Sequence, residues 1–231
     1  MNIDEIKSHL AKPATHFSVG GFRPTNEIYE SWIAKVLLFK DSEELPLDSE
    51  GKPMIPLAQF FIPSLPYIPA PVKETKVITV FMPEELPEVL DPISANWLIR
   101  EYKSIDDLVA KNIKHPGSEL KAFPLKPEII EKDFPLWDTD DIPEDIRDEI
   151  LKLEHEGEIE SYFDIVEHSY SHKFGGYPSY CQSGVDFGDG FEFVFQISSD
   201  EKIGLNIVDS GSFLFAKNPE SNEWKFYFDF Y

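Results

Sequence analysis

Apolar residues in the last third of the chain follow patterns that predict short strands. Phe191 to Ile197 is rich in aromatic and β-branched residues, with Gln196 near its end, as is typical of a strand. Ile203 to Val208 and Ser212 to Ala216 follow in order, separated by turns that contain aspartate. The aromatic run that starts at Trp224 predicts a core strand at the end of the chain. We therefore predict a meander of short strands in this region.

The first part of the chain contains similar features in the same order. Gly20-Gly21 precedes an aromatic residue and a proline, as Gly175-Gly176 does. The apolar run from Trp32 to Phe39 fits a helix or a strand, and we predict a strand. Gln59 lies in a later apolar run, as Gln196 does, and a buried strand is predicted next at Val77 to Met82. This order predicts an α+β, β-rich fold of two similar lobes from an internal duplication, with a few short helices.

Three helices are predicted from capping residues and apolar spacing. Asn2 can cap a short helix at the start of the chain, and Ser104 can cap another. A longer helix begins at Pro143, where proline suits the first turn, and ends at Gly157. Its apolar stripe consists of Ile142, Ile146, Ile150 and Leu153.

The formal net charge is −22, and half of it lies in one segment. Thirteen acidic residues between Asp138 and Glu167 are offset only by Arg147 and Lys152. Such a charge disfavours nucleic-acid binding and would steer a basic protein partner towards the chain. The first part of this segment contains the candidate partner-binding residues, which are Asp138, Asp140, Asp141, Glu144, Asp145, Asp148 and Glu149. A solvated linker or helix face is the alternative interpretation.

Composition and the N-terminus indicate where the chain acts. The single Cys181 cannot form an intramolecular disulfide and fits a reducing compartment. The first ten residues are charged and unlike a signal peptide, and no apolar run reaches the ~18 residues of a membrane span. We expect a cytoplasmic protein that does not contact the membrane.

No motif in the sequence assembles catalytic chemistry. The tripeptide at Ser210 lacks the G-x-S-x-G pattern of serine hydrolases. Three histidines lie close in sequence but not at a convincing metal-ligand spacing: His155, His168 and His172. Gln196 and Asp209 could bind a ligand or could satisfy backbone donors at turns. We therefore expect no enzymatic activity, no metal and no cofactor.

Several sequence blocks together resemble the YwqG-like family. They are G-K-P-M-I-P-L-A-Q-F at 51–60, I-T-V-F at 78–81, G-G-Y-P-S at 175–179, Gln182-Ser183, and F-Q-I-S-S-D-E-K at 195–202. The resemblance runs from about Ser18 to Tyr231. One departure is the family's W-G-D-x-G turn, which reads I-V-D-S-G here and retains only Asp209 and Gly211.

The resemblance implies a bacterial, cytoplasmic protein with an internally duplicated fold and no established activity. It implies one domain over 1–231, with lobe one at about 15–95 and lobe two at about 169–231. An acidic and helical region at about 96–168 would connect them. Some members look like immunity proteins of bacterial toxins, which implies a non-catalytic inhibitor of a basic toxin or effector domain. A housekeeping protein with an unknown small ligand is the alternative.

Overall fold

The computed structural model of the protein describes residues 1–25, 27–85, 97–182 and 185–229. Two α-helices lie in these ranges, α1 (Ile3–Leu10) and α2 (Glu144–Glu156). The strands are β1 (Lys12–Val19), β2 (Ser31–Ile33), β3 (Leu38–Lys40), β4 (Ile55–Phe61), β5 (Val77–Met82), β6 (Leu98–Tyr102), β7 (Leu108–Ala110), β8 (Phe123–Asp133), β9 (Lys173–Gly175), β10 (Glu192–Ser198), β11 (Ser212–Lys217) and β12 (Trp224–Asp229).

Ten of the strands form one curled antiparallel sheet in the order β12-β11-β10-β9-β1-β8-β2-β4-β5-β6. The remaining two, β3 and β7, pair with each other. The antiparallel β1–β8 pair lies at the centre, and four further antiparallel strands continue the sheet on each side. We call β8, β2, β4, β5 and β6 the first half-sheet, and β1, β9, β10, β11 and β12 the second half-sheet.

Aromatic side chains from both half-sheets fill the concave side of the sheet. The Phe195 ring stacks on Phe174 at 4.9 Å and on Phe215 at 4.3 Å between centroids, and Phe60 meets Phe174 edge to face. Trp97, just before β6, packs on β11 and β12 residues such as Phe226, at 4.1 Å. The curl therefore brings the two ends of the sheet together around one apolar core.

The edges of the curled sheet meet through side chains. The Lys217 ammonium in β11 lies 2.7 Å from the Glu101 carboxylate in β6. The indole N–H of Trp224, at the start of β12, donates to the same carboxylate at 2.9 Å. Lys217 is buried, so this ion pair is shielded from screening by solvent ions.

The two helices pack together in a second, smaller apolar cluster. Ile6 and Leu10 of α1 meet Ile146 and Ile150 of α2 there. Asn2 makes a capping box with Glu5, and Gly157 ends α2 at φ +74°. The expected β-rich fold with few short helices is confirmed, including both of these helix ends.

Three expected elements differ from the structure. The helix expected after Ser104 is a turn followed by β7, because the Ser104 hydroxyl caps the Asp106 N–H within the turn. The strand expected at 203–208 is a series of turns with positive φ at Gly204 and Val208. The apolar run 32–39 is divided between β2 and β3, because Ala34 at φ +56° turns the chain.

Some predictions extend beyond the described residues. The end of lobe one, at 86–95, lies outside them, and so do Ser183 and the last two residues. Within the described ranges, β6 belongs to the edge of the first half-sheet and β8 to the centre of the whole sheet. The lobe boundaries stay a prediction.

Candidate functional site

The acidic segment, which we define as residues 138–149, runs from the loop after β8 into α2. Five of its seven candidate carboxylates are exposed: Asp138, Asp140, Glu144, Asp145 and Asp148. Burial of the apolar stripe against α1 leaves the acidic side of α2 facing solvent. The structure therefore presents most of the predicted partner-binding residues on the surface.

Two of the predicted residues have different surroundings. The Glu149 carboxylate pairs with the N-terminal ammonium of Met1, which lowers the pKa of Glu149. Asp141 is half-buried, and its carboxylate lies 3.9 Å from the Lys12 ammonium. Burial raises the pKa of Asp141, the charge of Lys12 opposes that shift, and Asp140 adds to it.

Arg147 fixes the shape of the loop that carries the first acidic residues. Its guanidinium donates to the backbone oxygens of Trp137 and Thr139, both at 2.8 Å. The same group lies over the Trp137 ring, 4.6 Å from its centroid. A planar guanidinium holds such a bidentate, stacked arrangement well, so the loop is fixed before any partner arrives.

A pocket of about 350 Å³ opens where this loop meets the loops before β10. We call it the acidic pocket. Aromatic side chains supply much of its wall, and carboxylates stand at its rim. Its lining includes Asp140, Asp141, Tyr180, Asp186, Phe187 and Phe191. Asp186 is exposed and its carboxylate accepts from the Gly188 N–H at 2.5 Å, which shapes the turn.

One cation of the protein already lies beside this pocket. The Lys225 ammonium donates to the Phe187 carbonyl oxygen at 2.5 Å and lies 4.2 Å from the centroid of the Phe191 ring. An aromatic ring combined with a backbone oxygen is therefore a setting in which this chain itself holds a positive charge beside the pocket.

Sequence reasoning missed Tyr180, Asp186, Phe187 and Phe191. The tetrapeptide Phe187-Gly-Asp-Gly190 and the aspartate before it indicate a tight turn, which could have located the rim. Nothing in the sequence brings this turn to Asp140 and Asp141, because that approach depends on the packing of the loop after β8.

A buried ion pair lies beneath the Gly175-Gly176 corner. Lys173 and Asp133 are fully buried, with the ammonium 2.7 Å from the carboxylate. Asp133 also accepts from the backbone N–H groups of Tyr177 at 2.9 Å and Ser169 at 3.0 Å. Burial lowers the pKa of Lys173 to about 8, while Asp133 opposes that shift. The pair ties β8 and β9 to the glycine corner, which is a structural task.

Gln196 and Gln59 each bridge backbone groups inside the sheet. Gln196 accepts from the Ser179 N–H at 3.0 Å and donates to the Ser171 carbonyl oxygen at 3.0 Å. Gln59 accepts from the N–H groups of Leu37 and Leu38 and donates to a backbone oxygen, that of Glu30. The structure therefore favours the structural interpretation of Gln196, while Asp209 is exposed.

The three histidines that lie near one another in sequence have different surroundings in the structure. His168 bonds to the Phe134 carbonyl oxygen at 2.6 Å and to the Ser179 hydroxyl at 2.8 Å. Burial lowers the pKa of His168 to about 4, which keeps the ring neutral. His172 accepts from the Ser198 N–H, and His155 is exposed. Among the residues that the structure describes, no three His, Cys, Asp or Glu side chains are grouped as a metal site requires.

The fold and the pocket define a β-rich protein with a curled antiparallel sheet and an acidic, aromatic pocket. Residues 37–223 match the model of the family described as Domain of unknown function (DUF1963), and the chain belongs to this family. YwqG-like proteins are members of the same family. A comparison with curated proteins found no match. No helix in the described part of the chain is both long and apolar enough to cross a membrane.

Proposed function

We propose that this chain is a non-catalytic binding protein for a basic protein partner in the bacterial cytoplasm. In particular, we propose a YwqG-like immunity protein that neutralises a toxin or effector domain by direct contact. The observation that carries the proposal is the continuity of the exposed acidic segment with the acidic pocket. The segment would steer a cationic partner, and the pocket would receive one of its basic side chains.

The half-buried Asp141 supports this assignment of the pocket. Burial raises its pKa, so its charged form is poorly stabilised in the free protein. Lys12 compensates only in part, because its ammonium is 3.9 Å away and also lies over the Tyr177 ring. A guanidinium or ammonium from a partner would stabilise the carboxylate, and such perturbed groups in clefts are typical of functional sites.

The composition of the pocket favours arginine as the inserted residue. Tyr180, Phe187 and Phe191 offer ring surfaces, and Asp140 and Asp141 offer carboxylate oxygens. A planar guanidinium can stack on a ring while it donates two parallel hydrogen bonds to a carboxylate, which an ammonium cannot do. Arginine side chains of this kind often dominate the binding energy of protein interfaces.

Binding of peptides tests the pocket without knowledge of the natural partner. A glycine-flanked peptide with two arginines is titrated by calorimetry against the same peptide with neutral citrulline. We expect the arginine peptide to bind at least ~10-fold more tightly, which corresponds to about 1.4 kcal/mol. The double variant Asp140→Asn with Asp141→Asn should lose the preference for the arginine peptide. The control double variant, Asp41→Asn with Asp107→Asn, should keep it. Equal binding of both peptides to the parent protein would count against the pocket.

Co-expression tests the immunity function. Products of the flanking genes are expressed one at a time, and any that arrests growth is expressed again with this chain. We expect this chain to restore growth and to bind the arresting protein. If no flanking product arrests growth, or none is neutralised, the immunity assignment fails while the peptide result stands by itself.

Charge reversal then tests steering with the neutralised protein as ligand. Glu144→Lys, Asp145→Lys and Asp148→Lys together should slow association at least ~10-fold at low salt, and less at high salt. Glu149 is left intact because it pairs with Met1. The matched control reverses exposed acids outside the segment: Asp41, Glu74 and Asp107. Equal rates for the two triple variants would show that only net charge matters.

We also infer that the half-sheets arose by internal duplication. Supporting this, Trp32 of β2 lies opposite Gln59, and Lys173 of β9 lies opposite Gln196. Ser31 precedes Trp32, and its hydroxyl accepts from the N–H of Phe61, two residues after Gln59. In the same way, His172 precedes Lys173 and accepts from the N–H of Ser198, two residues after Gln196. This register aligns Ala34 with Gly175. The Gly20-Gly21 corner is therefore not the counterpart of the Gly175-Gly176 corner. A family profile in which the half-sheets fail to align in this register would count against the duplication.

A further inference from the structure

A second cavity, of about 570 Å³, lies on the first half-sheet beside the loop between β7 and β8. We call it the basic cavity. Its polar lining residues are Trp32, Lys35, Asn112, Lys114, His115 and Ser118. Among the described residues, none that lines it is acidic, although the chain has 43 acidic residues against 21 basic ones. A cavity with this lining contrasts with the surface around it.

Within the described ranges, the two lysines of the cavity have no carboxylate at ion-pair distance. Neither Lys35 nor Lys114 forms an ion pair with any residue in the described ranges. Burial lowers the pKa of Lys35, Glu30 opposes that shift, and the charge of Lys114 adds to it. Glu84 approaches Gly117, in the same loop as Lys114. Both ammonium groups therefore line one cavity in which the described residues place no carboxylate within ion-pair distance, so an anion there would be attracted by both lysines.

Trp32 adds a buried hydrogen-bond donor to the wall of the cavity. Its indole N–H is buried and makes no hydrogen bond within the described part of the chain. A buried donor that lacks an acceptor costs about 1–3 kcal/mol, and this one belongs to a side chain that lines the cavity. The Lys35 ammonium lies 4.0 Å from the centroid of the Trp32 ring, so the lysine and the indole are in contact.

The walls of the cavity are fixed by the backbone. His115 bonds to the Pro53 carbonyl oxygen at 2.9 Å, and its other nitrogen accepts from the Gly117 N–H. Both ring nitrogens are therefore engaged by the backbone, which leaves the ring no free donor for a ligand. Ala34 lines the cavity at φ +56°, a conformation that costs a non-glycine residue of order 1–3 kcal/mol and that clusters at binding sites.

We propose that the basic cavity binds a small organic anion through a phosphate or carboxylate group held by Lys35 and Lys114. The volume lies within the range of about 300–1,000 Å³ that small-molecule sites show. Pro56, Ile113 and Leu120 provide apolar wall for the remainder of such a ligand. The site belongs to a different part of the sheet from the acidic pocket and does not depend on a protein partner.

Calorimetric titrations with inorganic phosphate and with citrate test this site. Their two arms distinguish phosphate from carboxylate chemistry, and sodium chloride of equal ionic strength serves as the blank. We expect saturable binding of at least one probe to the parent protein. The pair Lys35→Met and Lys114→Met, which keeps the aliphatic stems, should weaken that binding at least ~10-fold, or about 1.4 kcal/mol.

The matched control is the pair Lys73→Met and Lys103→Met, which removes two exposed lysines that do not line the cavity. It makes the same change in net charge and should bind like the parent. Circular dichroism and the urea midpoint check that each variant is folded. Absence of saturable binding to the parent overturns the proposal. So does equal binding by parent and cavity variant, or equal weakening in the control.

Discussion

Replacing Gly176 with alanine tests the packing beneath the glycine corner. A Cβ at this position would lie 2.1 Å from the Asp133 carboxylate oxygen, at a φ of +67°. Asp133 would have to move away from the Lys173 ammonium, with which it forms a fully buried pair. Breaking a buried pair costs about 3–5 kcal/mol, and the positive φ costs alanine about 1–2 kcal/mol. Gly176→Ala should therefore lower the free energy of unfolding by about 4–7 kcal/mol.

Gly157→Ala is a matched control because it shares the backbone penalty without the collision. Gly157 ends α2 at φ +74°, and no atom lies within 4 Å of the Cβ that alanine would add. Only the penalty of about 1–2 kcal/mol should remain. The comparison therefore isolates the contribution of Asp133 and its partners.

Equilibrium urea unfolding at neutral pH measures both variants, with fluorescence and circular dichroism as separate probes. The slope with urea must match the parent for the free energies to be compared. A loss of 4–7 kcal/mol is a large share of the ~5–15 kcal/mol of a typical domain, so an unfolded Gly176→Ala protein agrees with the prediction. Losses for the two variants within ~1 kcal/mol of each other would refute the reasoning.

Three further predictions concern single groups and use the same unfolding assay. Lys173→Met should lower the free energy of unfolding by about 3–5 kcal/mol, because it leaves Asp133 charged and buried without its partner. Adding Asp133→Asn to this variant should recover part of the lost stability. No recovery in the double variant would contradict the pairing. Asp141→Asn should stabilise the protein at pH 7, because burial raises the pKa of this carboxyl in the folded state, and the gain should disappear below about pH 3.9. Gln59→Leu should cost about 1–3 kcal/mol by removing the acceptor of the buried Leu38 N–H, and an unchanged midpoint would exclude that role.

The sequence was sufficient where local signals agreed with packing. The second helix was predicted because Pro143, Gly157 and a 3.6-residue apolar stripe all indicate the same element. The strand expected at 203–208 was wrong although all but Val208 of its apolar side chains are buried. Every second residue of this stretch is buried: Ile203, Leu205 and Ile207. However, the Asp200 carboxylate accepts from the Lys202 N–H, and Gly204 turns the chain at a positive φ, so the stretch does not form a strand of the sheet.

The central strand β8 was missed because its prolines argue against a strand between two others. Pro124 lies opposite Trp32 on one side, and Pro127 lies opposite Phe17 on the other. Proline removes a ladder donor, so such a segment normally reads as loop or edge. The two pockets could not be predicted either, because each depends on loops brought together from distant parts of the chain, such as Asp141 with Phe187.

The position of β1 has a consequence for the order of events during synthesis. This strand follows α1 at the start of the chain, yet its partners in the described sheet are β8 and β9, so Val19 pairs with Leu125 more than 100 residues later. At ~5–20 residues per second, a ribosome needs on the order of 5–20 s to make that stretch. The nascent N-terminal strand waits through this interval with both hydrogen-bonding edges open. Premature release of the chain would therefore yield an aggregation-prone fragment instead of a folded half.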